Sequence, residues 1–230
     1  MPIEVKILSA GAVKPGLTRV IDAFHRETTH EAKVRFATAP AILNAINGGE
    51  TIDIVIAPPN VLDQLVETAK VPAGTRVMLG RIGIGVMVRE GATLPHIATV
   101  DEFKEALLSA ESLVYNQAST GTYLETLFDR LGMSAQLAAR TTRYADFAAV
   151  LDHVSNGKGR EVGLGATTVI IENAGKGVKF AGALPEEIQN YTAYESAVLT
   201  ACKSIEAATE FMHFLTLPEA KRQLIAAGIG

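Results

Sequence analysis

The side chains of this chain that could do chemistry sit in three short, small-residue segments. Residues 9–16 (SAGAVKPG), 37–41 (ATAPA) and 116–123 (NQASTGTY) each follow a strand-like run and open a helical pattern. A helix N-terminus presents unpaired N–H groups and a partial positive charge of roughly half a unit. Small side chains let an anion reach those amides. The backbone of Gly11, Ala12, Val13, Thr38 and Ala39 is therefore a candidate anion cradle, with hydroxyls at Ser9, Thr38, Ser119 and Thr120 and with Asn116 and Gly121 beside them. Any parallel α/β sheet produces loops of this kind, so the pattern alone indicates strand-to-helix turns. Lys14 adds something, because a cation in a helix's first turn opposes the dipole unless a bound anion faces it. Arg81 is a second cation, suited to bidentate carboxylate recognition or to a structural ion pair. Thr167 and Tyr194 complete the hydroxyl set.

Other chemistries find little support. The histidines His25, His30, His96, His153 and His213 show no metal-ligand spacing and read as structural or surface groups. Cys202, the single cysteine, has no neighbour that would lower its pKa and reads as core. Residues 80–85 are not a dinucleotide fingerprint, since a strand follows them, and residues 157–165 lack the Gly-Lys-Ser/Thr of a phosphate loop. Ser119 has no nucleophile elbow around it. No metal and no cofactor are expected.

These residues must be positioned by alternating strands and helices. Strands are predicted over residues 3–8, 34–37, 53–57, 113–115, 161–165, 178–181 and 192–200. The intervening helices run from the first loop to about Arg26, from a Thr38 cap to Gly48–Gly49, over 61–70 behind an Asn60 cap, over 120–131 and over 144–155. Thr99 and Glu102 are spaced as a capping box for a helix to about Ala110, and two helices, 204–215 and one from Pro218 to Gly228, close the chain. Residues 77–88 (VMLGRIGIGVMV) are long for one strand and are interrupted by glycine. The strand–helix series occurs twice, which implies two α/β lobes. Residues 1–80 and 197–230 form one lobe and 81–196 the other, with hinge segments near 80–86 and 192–198 and a ligand cleft between the lobes.

With 21 Lys plus Arg against 25 Asp plus Glu, the chain carries a net charge of -4 and no basic run, which argues against nucleic acid. Hydrophobic residues reach 48%, which excludes a disordered chain. No apolar stretch is long enough to span a membrane, so no membrane insertion is expected. The start, MPIEVKIL, lacks the features of an export signal. The expectation as written is cytoplasmic, or periplasmic had a leader been trimmed. The oligomeric state is not legible.

In order and spacing, the stretches VKILSAGAVKPGL (5–17), VRFATAPAILNAI (34–46), IDIVIAPPNVLDQLV (52–66), GRIGIGVMVREGA (80–92), GTYLETLFDRLG (121–132), GALPEEIQNYTAYESAV (182–198) and FLTLPEAKRQLIAAG (214–228) resemble the periplasmic-binding-protein type II family. Within it the chain is similar to the molybdate-binding branch. The resemblance implies an α/β, two-lobed type II fold with two hinge strands. In that branch serine hydroxyls of the first two loops hold the oxyanion, and here Ala12 and Ala39 stand at those positions. The branch's tyrosine-bearing turn is replaced by Gly165-Ala166-Thr167, and the loop around residues 116–121 is shorter. Losing a hydrogen bond to a charged ligand costs roughly 1.5–3 kcal/mol, so tight molybdate binding is not expected. The SAGA-x-KP start, the GRIGIGV segment and LPEEIQNYTAY look more like a sub-branch that includes aconitate-isomerase-like proteins. By resemblance, the partner is a small-molecule anion, a di- or tricarboxylate. Two functions follow: a binding protein that closes on this anion, or a cofactor-independent isomerase of an unsaturated polycarboxylate with Lys14 or Tyr194 moving the proton. Glu195 is a third candidate base, although strand alternation points it away from Tyr194. Oxyanion transport is the remaining reading.

Overall fold

The structure is a computed structural model and describes residues 3–230. The chain divides into two compact units, one running up to Ile82 and joined by Ala193–Gly230, the other Gly83–Thr192. The backbone passes from one to the other at residues 82–83 and 192–193.

The first unit is built on β1 (Glu4–Ala10), β2 (Glu31–Ala37), β3 (Ile54–Ala57), β4 (Val77–Ile82) and β10 (Thr192–Val198), in the order β2-β1-β3-β10-β4. β1 runs parallel to both neighbours, and β10 lies antiparallel to β3. All four residues of β3 are buried, as an uninterrupted apolar run requires of a strand covered on both faces. Around this sheet lie α1 (Lys14–Glu27), α2 (Ala39–Asn47), α3 (Pro59–Glu67), α9 (Ile205–Phe214) and α10 (Pro218–Ala226). Phe24 of α1 meets Phe211 and Phe214 of α9 edge-on, with centroids 5.0 and 5.4 Å apart, which ties the penultimate helix to the first one.

The second unit repeats the plan. Its sheet has the order β7-β6-β8-β5-β9, from β5 (Ile84–Arg89), β6 (Ser112–Asn116), β7 (Thr141–Tyr144), β8 (Glu161–Ala166) and β9 (Val178–Ala183). β6 is parallel to β7 and β8, while β5 is antiparallel to β8 and β9. The helices are α4 (Val100–Ser109), α5 (Ser119–Arg130), α6 (Ser134–Ala138), α7 (Phe147–Asn156) and α8 (Thr167–Asn173). Thr99 and Glu102 form both bonds of the capping box ahead of α4. One core gathers Phe103, Leu113, Leu124 and Phe128 on one sheet face, and a smaller one gathers Met87, Val150 and Ile170 on the other.

The 77–88 run breaks at Gly83, one of its interrupting glycines, into two strands, one in each unit. Several other expectations change. The third helix begins at Pro59 behind a Pro58 cap, so Asn60 lies within its first turn. Residues 141–144 form a strand, and the helix expected from Tyr144 starts at Phe147, where the Asp146 carboxylate accepts from the Ala149 N–H at 2.9 Å. β2 begins at Glu31, three residues early. Its outward side chains are charged because it is an edge strand, and the His25 ring accepts the Ala32 N–H at 2.8 Å.

Candidate functional site

In the first unit the carboxyl ends of the parallel strands lie level. Ala10 pairs with Ala37 in register, so Gly11 and Thr38 leave the sheet side by side. A 3-10 turn, Gly11–Val13, leads directly into α1, and Thr38 leads into α2. The Thr38 hydroxyl makes no capping bond and is exposed. Lys14, also exposed, sets its ammonium 5.9 Å from the Phe36 ring centroid, which holds it over the end of β2. Gly11, Ala12, Lys14, Thr38 and Ala39 thus form one patch.

Ser9 and Val13 belong to that patch only through their backbones. Ser9 is fully buried and its hydroxyl donates to the Ala10 carbonyl at 3.2 Å, and the Val13 side chain is core. Tyr194 is buried on β10, one residue before Glu195, which pairs with Ala57, and so stands at the carboxyl end of β3. Glu195 itself is bound to Arg76 at 3.3 Å. Arg81 lies on the edge strand β4, its N–H donating to the Gly230 carbonyl at 2.6 Å.

The second unit collects the remaining candidates at its own strand ends. Asn116 ends β6, and its side-chain oxygen accepts from the Ala118 N–H at 3.3 Å. Ser119 and Thr120 open α5, and a Cβ on Gly121 would fall 1.9 Å from the Asn116 carbonyl oxygen, so only glycine fits there. Thr167 opens α8, its N–H bonded to the Gly83 carbonyl at 3.0 Å and its methyl against Gly85. Two features at the strand ends, one in each unit, escape a reading of the sequence. Pro58, in the first unit, caps α3 after β3, and Phe147, at the start of α7, lays its ring over Gly165, where a Cβ would come within 1.9 Å of it. The DF pair after a four-residue strand was the available signal for the second.

The helices that open at these strand ends share an electrostatic trait. None of α1, α2, α3, α5, α7 and α8 has an acidic residue in its first turn, although Asp146 caps α7. Of the helices that do not follow the parallel strands, α4 carries Asp101 and Glu102 there, α9 Glu206 and α10 Glu219, while the short α6 carries none. Carboxylates ordinarily gather at helix N-termini because the dipole favours them. Apart from α7, which Asp146 caps, these ends therefore have no resident carboxylate at the dipole.

Among the described residues no cluster of three or more His, Cys, Asp or Glu could hold a metal, and no helix is long and apolar enough to cross a membrane. His25 and His30 are structural: the His30 ring accepts the Ile3 N–H at 3.2 Å and meets Glu210 at 3.0 Å. Cys202 is half-buried rather than core. Its thiol donates to Asp53 at 3.2 Å, and burial, followed by Asp53, pushes it up to about 11. With so little thiolate at pH 8, Cys202 is expected to react with an aromatic disulfide reagent about a hundredfold more slowly than an ordinary thiol. A free-thiol rate in the folded protein would contradict this geometry.

Two mixed α/β units, each carrying its loops at the ends of three parallel strands, define a type II solute-binding-protein fold. Residues 5–230 match the bacterial extracellular solute-binding protein family, and the chain belongs to it. The periplasmic molybdate-binding protein of Azotobacter vinelandii superposes with a TM-score of 0.81 at 16% identity, covering 98% of each chain. The sulfate-binding protein SubI of Mycobacterium tuberculosis gives 0.79 at 16% identity, covering 99% of this chain and 86% of that one. At such identities the likeness is one of fold. An aconitate isomerase from a Pseudomonas species is 29% identical over 97% of this chain and 86% of its own.

Proposed function

We propose that this protein binds a small di- or tricarboxylate at the strand-end loops described above. The observation that carries the reading is the set of helix N-termini without first-turn acids, joined by Lys14 at one of them. The candidate donors are the amides of residues 11–13 and 38–39 with Lys14 in the first unit and, at the second unit's own strand ends, the hydroxyls of Ser119, Thr120 and Thr167. Alanine at positions 12 and 39 supplies no hydroxyl to wrap a compact tetrahedral oxyanion. The relative that acts on aconitate, a tricarboxylate, supports the same class.

Thermal unfolding against molybdate, sulfate, citrate, cis- and trans-aconitate and tricarballylate tests this. A ligand at 100 times its Kd stabilises by roughly 2.7 kcal/mol, so a tricarboxylate is expected to raise Tm and molybdate to leave it unchanged. Lys14→Met is expected to weaken tricarboxylate binding about tenfold to a hundredfold, the worth of one charge-assisted hydrogen bond. Stabilisation by molybdate alone, or full affinity in Lys14→Met, would overturn the reading.

The aconitate-isomerase relative favours a second reading, catalysis at the same loops. A base removes the allylic proton of the unsaturated tricarboxylate, the double bond shifts, and the proton returns at the far carbon. Tyr194 or Lys14 would carry the proton while loop amides hold the enolate-like charge. Proton NMR of cis-aconitate with the protein in deuterated water separates the two readings, since only an isomerase produces the trans isomer and washes in deuterium.

A further inference from the structure

The second unit contains a cavity of about 590 Å³ that has no part in the strand-end loops. It is walled by α5, α6, β6 and β7, and its volume falls within the roughly 300–1,000 Å³ usual for small-molecule sites. Tyr115 lines it. This tyrosine is 3% exposed and packs edge-on against Phe128 at 6.0 Å. Burial first, and then Glu125, hold the Tyr115 phenol above its ordinary pKa, so it is a neutral donor. Arg143 lies 5.7 Å over the same ring, with one terminal nitrogen on Glu125 and no acceptor for its Nε–H. Asp129, engaged by the Ser134 hydroxyl, lines the same cavity, and Phe128 and Leu137 give it apolar walls.

We propose that this cavity binds a small zwitterion with an apolar body, an α-amino acid of the leucine or phenylalanine type. The lining sets one cation, Arg143, against two carboxylates, Glu125 and Asp129. A simple anion meets net repulsion there. A zwitterion places its carboxylate at Tyr115 and Arg143, its ammonium at Asp129, and its side chain on Phe128 and Leu137. The proposal is independent of the tricarboxylate reading, because none of these residues belongs to those loops.

Calorimetric titration of the intact protein with L-leucine and L-phenylalanine tests it. Saturable binding of one amino acid per chain is expected. Leucinamide, which lacks the carboxylate, and N-acetyl-leucine, which lacks the ammonium, should each bind about tenfold more weakly or worse. Tyr115→Phe keeps the ring and is expected to lose about fivefold or more, and Asp129→Asn at the surface should lose a comparable factor, both with unchanged circular dichroism. No saturable binding of either amino acid up to about 10 mM, beyond the roughly millimolar Kd of even a weak site, would overturn the proposal. Equal binding of the blocked derivatives, variants as tight as the parent, or displacement by tricarballylate would do the same.

Discussion

Replacing Asp53 with alanine is expected to cost about 3–5 kcal/mol of folding stability, because it removes the charged acceptor shared by several hydrogen bonds, each worth about 1.5–3 kcal/mol. Asp53 is 2% exposed, just ahead of β3. Its carboxylate accepts the N–H of Lys6 at 2.9 Å, of Lys203 at 3.0 Å and of Ser204 at 3.2 Å, together with the Cys202 thiol. Its own N–H donates to the Lys6 carbonyl, and its carbonyl accepts from Leu199. One side chain thus joins β1 to the turn that delivers α9. Alanine strands three partly buried N–H donors, each worth about 1–3 kcal/mol when left unmade. For a chain of this length, about 2–4 °C of Tm accompanies each kcal/mol, so a fall of about 10 °C in thermal unfolding is expected. Burial alone would raise the Asp53 pKa, but the bonds from Lys6, Cys202, Lys203 and Ser204 outweigh it and hold the carboxyl below its ordinary value. With the folded pKa depressed, the stabilisation is fully present above the unfolded value near 4 and is lost as pH falls through the folded one. The wild type should therefore lose stability on acidification below pH 4 more steeply than Asp53→Ala, and superimposable acid curves would count against the carboxylate's role.

Nothing in the local sequence around Asp53 announces this, because its donors come from positions about 50 residues before it and 150 after it. Local signals were legible where local physics suffices. The apolar run ending at Ala57, the Thr99/Glu102 capping box and the glycine interruptions near 80–85 each have one short-range cause and one structural outcome. The stretch 134–146 was different. Thr141–Tyr144 is half-exposed at a sheet edge and has no apolar alternation, so it is a strand because β6 pairs with it. α6 and α8 are short helices with weak periodicity, held by the elements on either side.

The candidate site was legible in the same uneven way. Loops rich in glycine, alanine and hydroxyls betray strand-to-helix turns, and Lys14 stood out because it opposes a dipole. Which atoms those loops present depends on register and burial. Ser9 looked like a hydroxyl donor but lies inside the sheet, whereas Phe147, which the sequence did not single out, covers Gly165 at a strand end. The absence of first-turn acids could only be seen once helix starts were fixed to the residue.

Gly121→Ala is the second large effect. The α5 N-terminus curls so tightly against the end of β6 that a Cβ at 121 would sit 1.9 Å from the Asn116 carbonyl oxygen and 3.0 Å from its carbon. Backbone cannot rotate away as a side-chain tip can, so α5 must shift. Forced overpacking of this kind costs about 1–3 kcal/mol, occasionally more, and the upper end is expected because the obstacle is main chain. The shift also moves the first-turn amides and the Ser119 and Thr120 hydroxyls, so tricarboxylate affinity should fall by about tenfold or more in the protein that remains folded. Gly11→Ala is the informative contrast. No atom lies within 4 Å of a Cβ there, and Gly11 sits in an exposed turn at the end of β1. Its stability should change by less than about 1 kcal/mol, while the added methyl stands in the space through which the proposed ligand would reach the amides of residues 11–13. Urea unfolding and ligand titration of the two variants therefore pull apart. If Gly11→Ala binds tricarboxylate as tightly as the parent, the first loop does not hold the anion, whatever Gly121→Ala does to the fold.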